Sequence, residues 1–264
     1  MARDFTKYGP WGLVTGASSG LGAEYSRQLA DKGLNIVLVA RRENRLKEIA
    51  GELESNHGVQ TRVIASDLTA DGECDRVARE TQDLEVGLLV NNAGYGMFGY
   101  YHQLDSNRQV NMTVLNCVVP VLLTNAYLPR MLERGRGGLI FLASTAAYQA
   151  CGSLGTYGAT KAFNLMLGES LWKEYGKQGI DSLAVSPGFT KTEFTEVAKA
   201  KDAGMFRVAT ADAVVAASLR KLGNGPSFVH GLLNKFLNFT VRISSRRMVI
   251  AITHAMLKGR SEHA

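Results

Sequence analysis

The fold is decided by the stretch Trp11-Gly-Leu-Val-Thr-Gly-Ala-Ser-Ser-Gly-Leu-Gly22. Its first residues are apolar and predict a buried strand, and its glycines lead into a helix. A strand followed by glycines that open a helix is the arrangement that binds the pyrophosphate of a dinucleotide. Gly16 would allow the tight turn, Gly20 would let the backbone approach the phosphates, and Gly22 would let helix and strand pack closely. The spacing is G-x-x-x-G-x-G rather than G-x-G-x-x-G.

Strand-like and helix-like segments alternate along the chain, which predicts a doubly wound α/β fold. Its strands are continuous apolar runs, as expected for a parallel sheet with helices on both faces. We predict a single Rossmann-type domain over residues 1–230, with a mostly parallel sheet flanked by helices, and a C-terminal helical extension over residues 231–264. Strands are expected at about 11–15, 35–40, 61–65, 86–91, 138–143 and 180–185. Helices are expected at about 20–32, 43–55, 72–82, 105–133, 155–176 and 210–222.

The composition fits one ordinary globular domain, because 264 residues with 45% apolar and 20% charged content can bury a large core. The three cysteines lack metal-ligand spacing, so no metal site is expected. An odd cysteine count and the absence of a secretion signal predict a cytoplasmic protein. Residues 109–129 carry no charge and could span a membrane by length, but their asparagines and prolines favour a core helix.

The C-terminal segment is basic and amphipathic. Residues 231–264 hold six Lys and Arg residues and one Glu, and so carry five of the six net positive charges. One interpretation is a pair of helices that pack their apolar faces over a cleft or a subunit interface. The other is peripheral contact with an anionic membrane surface. Basic and aromatic residues do not interleave elsewhere, so nucleic acid binding is not expected.

A candidate catalytic group is formed by Tyr157 and Lys161, with Ser144 upstream. A tyrosine and a lysine four residues apart lie on one face of a helix. The ammonium can then stabilise the phenolate and lower the tyrosine pKa toward neutrality. Such a tyrosine can protonate a carbonyl oxygen or deprotonate an alcohol. On its own the Y-x-x-x-K spacing is common, and most copies are solvated helix faces.

Taken together with the glycine stretch, Asn91-Asn-Ala-Gly94 and Pro187-Gly188, these residues resemble the short-chain dehydrogenase/reductase superfamily. The resemblance covers residues about 8 to 222 and includes Asp67, Asn111 and Thr192. It implies an oxidoreductase of the kind seen in bacterial-type short-chain reductases, with fatty-acyl or ketosteroid relatives. It also implies a homo-oligomer, either a dimer or a tetramer.

The second predicted strand ends in Arg41-Arg42, at the interval from Gly22 where this fold meets the adenine ribose. Guanidinium groups donate to a phosphate, so NADP(H) is favoured over NAD(H). The competing interpretation is that both arginines merely begin a charged helix. The cofactor contacts expected from the glycine stretch and the resemblance are Gly16, Ser18, Ser19, Gly20, Leu21, Arg41, Arg42, Asp67, Leu68, Asn92, Ala93, Gly94, Tyr157, Lys161, Pro187, Gly188, Phe189, Thr190 and Thr192.

The resemblance also assigns catalytic roles. Tyr157 is the general acid or base, Lys161 lowers its pKa and binds the nicotinamide ribose, and Ser144 donates to the substrate oxygen. Asn111 orients Lys161 through water. The alternatives are that Asn111 is a buried helix amide and that Ser144 caps a turn.

The substrate is expected to be a small carbonyl or alcohol compound with an apolar body, such as a 3-oxoacyl chain or a steroid. An apolar wall is predicted from residues 95–98, Tyr148, Leu154, Phe189 and Phe194, with Cys151 at its border and residues 192–205 as a lid. Two other functions remain open: a non-catalytic NADP(H)-binding regulator, and a membrane-surface protein that interacts with lipid through its C-terminal segment.

Overall fold

A seven-stranded parallel sheet forms the centre of the molecule. The computed structural model describes residues 5–191 and 208–261, with the side chains of the last helix described up to residue 256. The strands lie in the order β3-β2-β1-β4-β5-β6-β7, and every neighbouring pair is parallel. They are β1 (Trp11–Thr15), β2 (Asn35–Ala40), β3 (Thr61–Ala65), β4 (Val86–Asn91), β5 (Gly137–Leu142), β6 (Ile180–Ser186) and β7 (Ser227–Val229).

The described helices connect the strands or follow the last one. They are α1 (Gly20–Ala30), α2 (Glu43–His57), α3 (Glu73–Glu80), α4 (Ser106–Thr113), α5 (Val119–Glu133), α6 (Gly155–Tyr175), α7 (Ala211–Lys221), α8 (Leu232–Ile243) and α9 (Arg246–Ser261). Short 3₁₀ turns separate some of them, and a π-helical segment, Val114–Val118, joins α4 to α5.

Two large apolar clusters lie on opposite faces of the sheet. On one face α1, α2 and α7 pack over side chains such as Val14 and Leu38, and on the other α3, α5 and α6 pack over side chains such as Leu13 and Leu89. Consecutive strand residues therefore enter different cores, because side chains alternate across a strand. Both faces are buried, which explains why the strands are continuous apolar runs.

The predicted doubly wound fold with C-terminal helices is confirmed, with three differences in detail. The short strand β7 is missing from the prediction, because a three-residue run after Gly225-Pro226 reads as a turn. The single helix predicted over 105–133 is divided by the π-helical segment. In the C-terminal segment, helices do form, but the domain does not cover Leu232, Leu233 and Phe236 of α8; cover by a second subunit or a membrane surface stays a prediction.

Within the described residues, the stretch Ser106–Glu133 meets the length and hydropathy expected of a membrane-spanning helix. Its second half is α5, which packs on the sheet in the same apolar cluster as α3 and α6. The α5 side chains in this cluster include Val119, Leu123, Tyr127 and Met131. Packing against the sheet is the arrangement expected from the polar amides and prolines in the stretch.

Candidate active site

A cleft of about 640 Å³ opens at the carboxyl ends of the strands. It lies at the point where the strand order reverses. From β1 the chain continues to β2 and β3 on one side of the sheet, and then crosses to β4 on the other side of β1. Ligands of open parallel sheets bind at such switch points. We call the part lined by residues 16–21, 41–42 and 66–69 the glycine-loop end. The part lined by residues 149–154, α8 and α9 is the helix-covered end.

The glycine-loop end is shaped by close backbone contacts. Gly16 has φ +67°, a conformation that glycine adopts without strain. A Cβ on Gly22 would lie 2.2 Å from the carbonyl oxygen of Gly16, so a larger residue cannot occupy that position. Asn92 Nδ2 donates to Thr15 O at 2.8 Å and thereby ties the end of β4 to the end of β1. The first turn of α1 therefore presents its backbone N–H groups to the cleft.

Both arginines after β2 line the cleft at this end. Arg42 donates to Ser19 Oγ at 2.8 Å and to Ser18 Oγ at 3.2 Å, so its guanidinium lies against the glycine loop. The glycine loop itself has no basic residue at Ser19. In the structure the positive charge next to Ser19 comes from Arg42, between β2 and α2. The two arginines lie directly before α2, which begins at Glu43, and both line the cleft, so they do not merely begin a charged helix as the competing interpretation held.

Tyr157, Ser144 and Lys161 converge at the centre of the cleft. Ser144 follows β5, caps a short 3₁₀ turn through Ala146 N at 3.1 Å, and also hydrogen-bonds to Tyr157. Ser144 thus caps a turn, as one prediction held, and also contacts Tyr157, as the other prediction requires. Lys161 lies one turn after Tyr157 on α6, and its Nζ donates to Leu142 O at 2.7 Å. The Lys161 Nζ stands 5.8 Å from the centre of the Tyr157 ring.

Burial controls the pKa values of this pair. It raises the pKa of Tyr157 to about 12, against the opposing hydrogen bond from Ser144. It lowers the pKa of Lys161 to about 8, because the buried ammonium has lost water without gaining an anionic partner. The predicted lowering of the Tyr157 pKa toward neutrality is therefore wrong for the protein alone. At neutral pH Tyr157 holds its proton and can donate it.

The structure also corrects the amide assigned to orient Lys161. Asn111 is exposed at the rim, where its side chain donates to Thr69 Oγ1 at 2.8 Å and accepts from Tyr95 OH at 3.1 Å. Asn116 is buried instead. Its Oδ1 and the Nζ of Lys161 lie 2.7 and 3.6 Å from the position that a Cβ on Gly94 would take, so both face one small space.

The π-helical segment explains this difference. Asn116 lies inside it, where the irregular turn lets its side chain accept from Tyr95 N at 3.2 Å and donate to Tyr95 O at 3.0 Å. π-bulges often occur at functional sites. In the sequence, the only signal for Asn116 was a polar amide in an uncharged stretch, a signal that it shared with Asn111.

The helix-covered end depends on contacts between distant parts of the chain. On α8, Asn234 lies against Gly188, where an added Cβ would meet Asn234 Nδ2 at 2.4 Å. On α9, His254 lies against Gly152, where an added Cβ would meet His254 Nδ1 at 2.1 Å. Thr253 also donates to Ala150 O at 3.1 Å. The two helices therefore sit close to the loops that flank Tyr157.

Every described residue that was predicted to contact the cofactor lines this one cleft, and so do all four predicted catalytic residues. Thr192 lies outside the described residues, as do Phe194 and the candidate lid. Of the predicted apolar wall, Tyr95, Gly96, Phe98, Leu154 and Phe189 line the cleft, and Cys151 borders it. Met97 and Tyr148 do not: Met97 packs against Met112 and Tyr157, and Tyr148 packs against Ala143 and Leu165.

Two cleft-lining amides were not anticipated from the sequence. Gln149 Oε1 and Asn238 Nδ2 are buried, and neither has a hydrogen-bond partner in the described part of the chain. Buried polar groups are rarely left unpaired. One acceptor and one donor are therefore available to a bound molecule at the helix-covered end.

The cleft fits a nicotinamide dinucleotide. The glycine loop leaves no room for a side chain at Gly22, and two arginines stand at the adenine-ribose position. Leu142 O is the only acceptor that the described residues offer to the three donor hydrogens of the buried Lys161. The remaining donors suit ribose hydroxyls.

The family model described as short chain dehydrogenase matches residues 11–203, which is most of the chain and spans every motif described above. The chain belongs to the short-chain dehydrogenase family. The candidate catalytic residues Ser144, Tyr157 and Lys161 all lie within the matched region. The family resemblance drawn from the motifs is thereby confirmed.

Individual relatives agree with this assignment. A very-long-chain 3-oxoacyl-CoA reductase of Rattus norvegicus is 33% identical over 201 residues, which cover 73% of this chain and 63% of the rat protein. The match thus spans less than two thirds of that relative. A short-chain dehydrogenase from Sphingobium yanoikuyae, solved in complex with NADPH, is 33% identical with a TM-score of 0.80, over 84% of this chain and 88% of the other.

A third similar protein extends further along the chain. A 7β-hydroxysteroid dehydrogenase structure is 27% identical with a TM-score of 0.88, and the match covers 95% of this chain and 99% of the other. The unmatched 5% is about 13 residues, fewer than the 12 and 16 residues of α8 and α9 together, so the match reaches into the C-terminal helices. Part of the C-terminal helical segment is therefore shared with that structure.

Proposed function

We propose that this short-chain dehydrogenase is an NADP(H)-dependent oxidoreductase that interconverts a ketone and a secondary alcohol on an apolar substrate. The observation that carries the proposal is the convergence of Ser144, Tyr157 and Lys161 in one cleft with the glycine loop and two arginines. A binding module would not need a buried lysine beside a tyrosine, because burying that charge costs stability.

Tyr157 is the proposed proton donor during reduction. Its phenol is protonated at neutral pH, and the Ser144 hydroxyl can donate to the carbonyl oxygen and stabilise the negative charge that develops there. The Lys161 ammonium stabilises the phenolate left behind, and Asn116 is the proposed positioning residue for that ammonium. In the reverse direction the phenolate would accept the proton of the alcohol.

Arg41 and Arg42 support NADP(H) rather than NAD(H), because guanidinium groups bind phosphate through charge-assisted hydrogen bonds. Such a cofactor would be held by the glycine loop, Asn92, Lys161 and residues 187–190, and when bound it supplies or accepts the hydride. The relative from Sphingobium that was solved with NADPH supports the same choice.

An apolar substrate is supported by the lining of the helix-covered end. Phe98, Leu154, Leu237, Val249 and Ile252 offer apolar contacts there. The unpaired atoms, Gln149 Oε1 and Asn238 Nδ2, suit one polar group on such a molecule, for instance an amide or hydroxyl. The names of the similar proteins, a 3-oxoacyl-CoA reductase and a hydroxysteroid dehydrogenase, point to the same classes of ketone.

The test is NADPH oxidation by the full chain against ketones graded in chain length and ring number. We expect turnover to rise with apolar size, and NADH to support it less well than NADPH. NADPH binding measured by fluorescence, together with no turnover of any ketone, would support the non-catalytic regulator instead. Turnover restricted to small polar ketones would overturn the substrate class.

A further inference from the structure

Helix α8 has two unlike faces. Its inner face, with Leu237, Asn238 and Val241, lines the cleft. Its outer apolar face consists of Leu232, Phe236, Phe239 and Ile243, whose exposed fractions are 84%, 63%, 60% and 72%. At 100° per residue these four positions fall on one stripe of the helix. Soluble monomers rarely leave so many bulky apolar side chains uncovered side by side, so this face needs a partner.

The charge around this face has a single sign. Residues 231–261 contain six Lys and Arg residues and no Asp or Glu. Lys235 and Arg242 lie along one edge of the outer apolar face by helical position, and Arg246 and Arg247 follow in the first turn of α9. All four are exposed, and none forms an ion pair with any other described residue.

We propose that the outer apolar face of α8 docks on an anionic lipid bilayer, with α8 lying in the plane of the membrane surface. A stripe of phenylalanine and branched aliphatic side chains can enter the acyl boundary while the basic edge contacts acidic headgroups. The helix is about 18 Å long, shorter than the hydrocarbon core, so it lies on the bilayer rather than across it.

Charge complementarity favours lipid over a second copy of this chain. A two-fold dimer would place the same face of both copies together, and with it two basic segments that contain no acidic residue. The like charges would repel each other, and no carboxylate of the segment could compensate them. An anionic bilayer satisfies both the apolar stripe and the basic edge.

Docking in this way has a structural consequence for the cleft. The helix that would contact the bilayer is the same helix whose other face lines the helix-covered end, and its Asn234 contacts Gly188. A molecule dissolved in the membrane would then be separated from the cleft by the width of one helix. The docking itself does not depend on turnover, and it can be tested without any substrate.

The test is sedimentation of the full chain with vesicles of phosphatidylcholine, with and without phosphatidylserine. The apolar variant F236D/F239D should bind the anionic vesicles at least about tenfold more weakly, because two aromatic anchors are lost. Its matched control is Y101D/M166D, which changes two side chains that are equally exposed elsewhere. We expect the control to bind like the unmodified chain.

A second pair of variants tests the basic edge and does not depend on the first pair folding well. R242Q/R246Q/R247Q should lose at least about tenfold in affinity for anionic vesicles, and added salt should weaken the unmodified chain in the same way. The control R79Q/K173Q/K177Q removes three exposed charges from other helices and should bind normally. Thermal unfolding of each variant should match the unmodified chain, since all these side chains are exposed.

Failure of the unmodified chain to sediment with anionic vesicles would overturn the proposal. Equal binding to neutral and anionic vesicles would overturn it as well, since the basic edge would then contribute nothing. A dimer in solution that F236D/F239D dissociates, with no vesicle binding, would assign the outer apolar face to a second copy of the chain.

Discussion

The glycine-loop end of the cleft is made by short loops at the ends of neighbouring strands, whereas the helix-covered end is closed by helices from the far end of the chain. At the first end, Gly16, Gly22 and Asn92 hold the backbone through contacts between β1, α1 and β4. At the second, α8 and α9 reach back to Gly188 and Gly152. Tyr157 and Lys161 lie between the two ends.

Because of this difference, the two ends of the cleft are suited to bind different parts of the ligands. The glycine-loop end offers backbone N–H groups and arginines, which bind phosphates. Because its loops join the strands directly, most substitutions there would also disturb the sheet. The covered end offers side chains on two surface helices, whose sequence can vary while the sheet stays intact. We therefore expect changes at one end to alter cofactor affinity and changes at the other to alter substrate range.

The largest effect is expected between the two ends. Tyr157→Phe removes the proposed proton donor and keeps the ring, so turnover should fall by at least about 10²-fold. Affinity for NADPH should stay nearly the same, as fluorescence titration can measure. A variant that keeps half of its activity would remove Tyr157 from the mechanism.

At the glycine-loop end, Arg41→Asp and Arg42→Asp should each weaken NADPH binding by at least about tenfold, the loss of one charge-assisted hydrogen bond. NADH binding should change much less, so the ratio of the two dissociation constants should shift toward NADH. Lys47→Asp is the matched control, because it reverses an exposed charge on α2, the helix that follows the two arginines, and Lys47 does not line the cleft. An unchanged ratio in both arginine variants would exclude the NADP(H) assignment.

The pH dependence of reduction tests the buried pair. Below about pH 8 Lys161 is charged and stabilises the phenolate that proton donation leaves behind. As the pH rises through the lowered pKa of Lys161, this charge is lost, so kcat/KM for ketone reduction should decline by up to about tenfold per pH unit. A profile that stays flat or rises to about pH 10 would contradict this role.

The smallest effect is expected at the helix-covered end. Gly152→Ala adds a Cβ that would meet the His254 ring at 2.1 Å, so the His254 side chain, or α9 with it, must move. The KM for bulky ketones should change by about fivefold or more, the scale of a local overpacking strain, while NADPH affinity is unchanged. Gly155→Ala is the control, since a Cβ there meets nothing within 4 Å. Identical kinetics for the two variants would mean that α9 does not shape the substrate site.

The parts of the site that sequence could predict are those set by local spacing. Tyr157 and Lys161 are one helical turn apart, and Gly16 to Gly22 follow a strand directly, so periodicity alone brings each group together. Arg42 was predicted near the cofactor for its charge, but its contact with Ser18 and Ser19 depends on how α2 approaches α1. That approach is a tertiary property.

The parts that could not be predicted depend on irregular backbone or on distant packing. Asn116, and not Asn111, shares a small space with Lys161, because Asn116 lies in a π-helical segment that interrupts the helix. No residue type in Val114–Val118 predicts such a segment. The inward side of α8 could not be predicted either, because both of its sides carry apolar residues. In the structure Asn234 lies against Gly188, and Leu237, Asn238 and Val241 line the cleft.

The central claim, that this cleft transfers hydride between NADP(H) and an apolar ketone, is tested most directly by isotope transfer. The full chain is incubated with NADPH deuterated at either face of the nicotinamide C4 and with a bulky ketone, and the product is analysed by mass spectrometry. We predict deuterium on the carbinol carbon from one of the two labelled cofactors, and far less product from the Tyr157→Phe variant. Bound NADPH with no deuterium transfer to any ketone of the graded series would contradict the account.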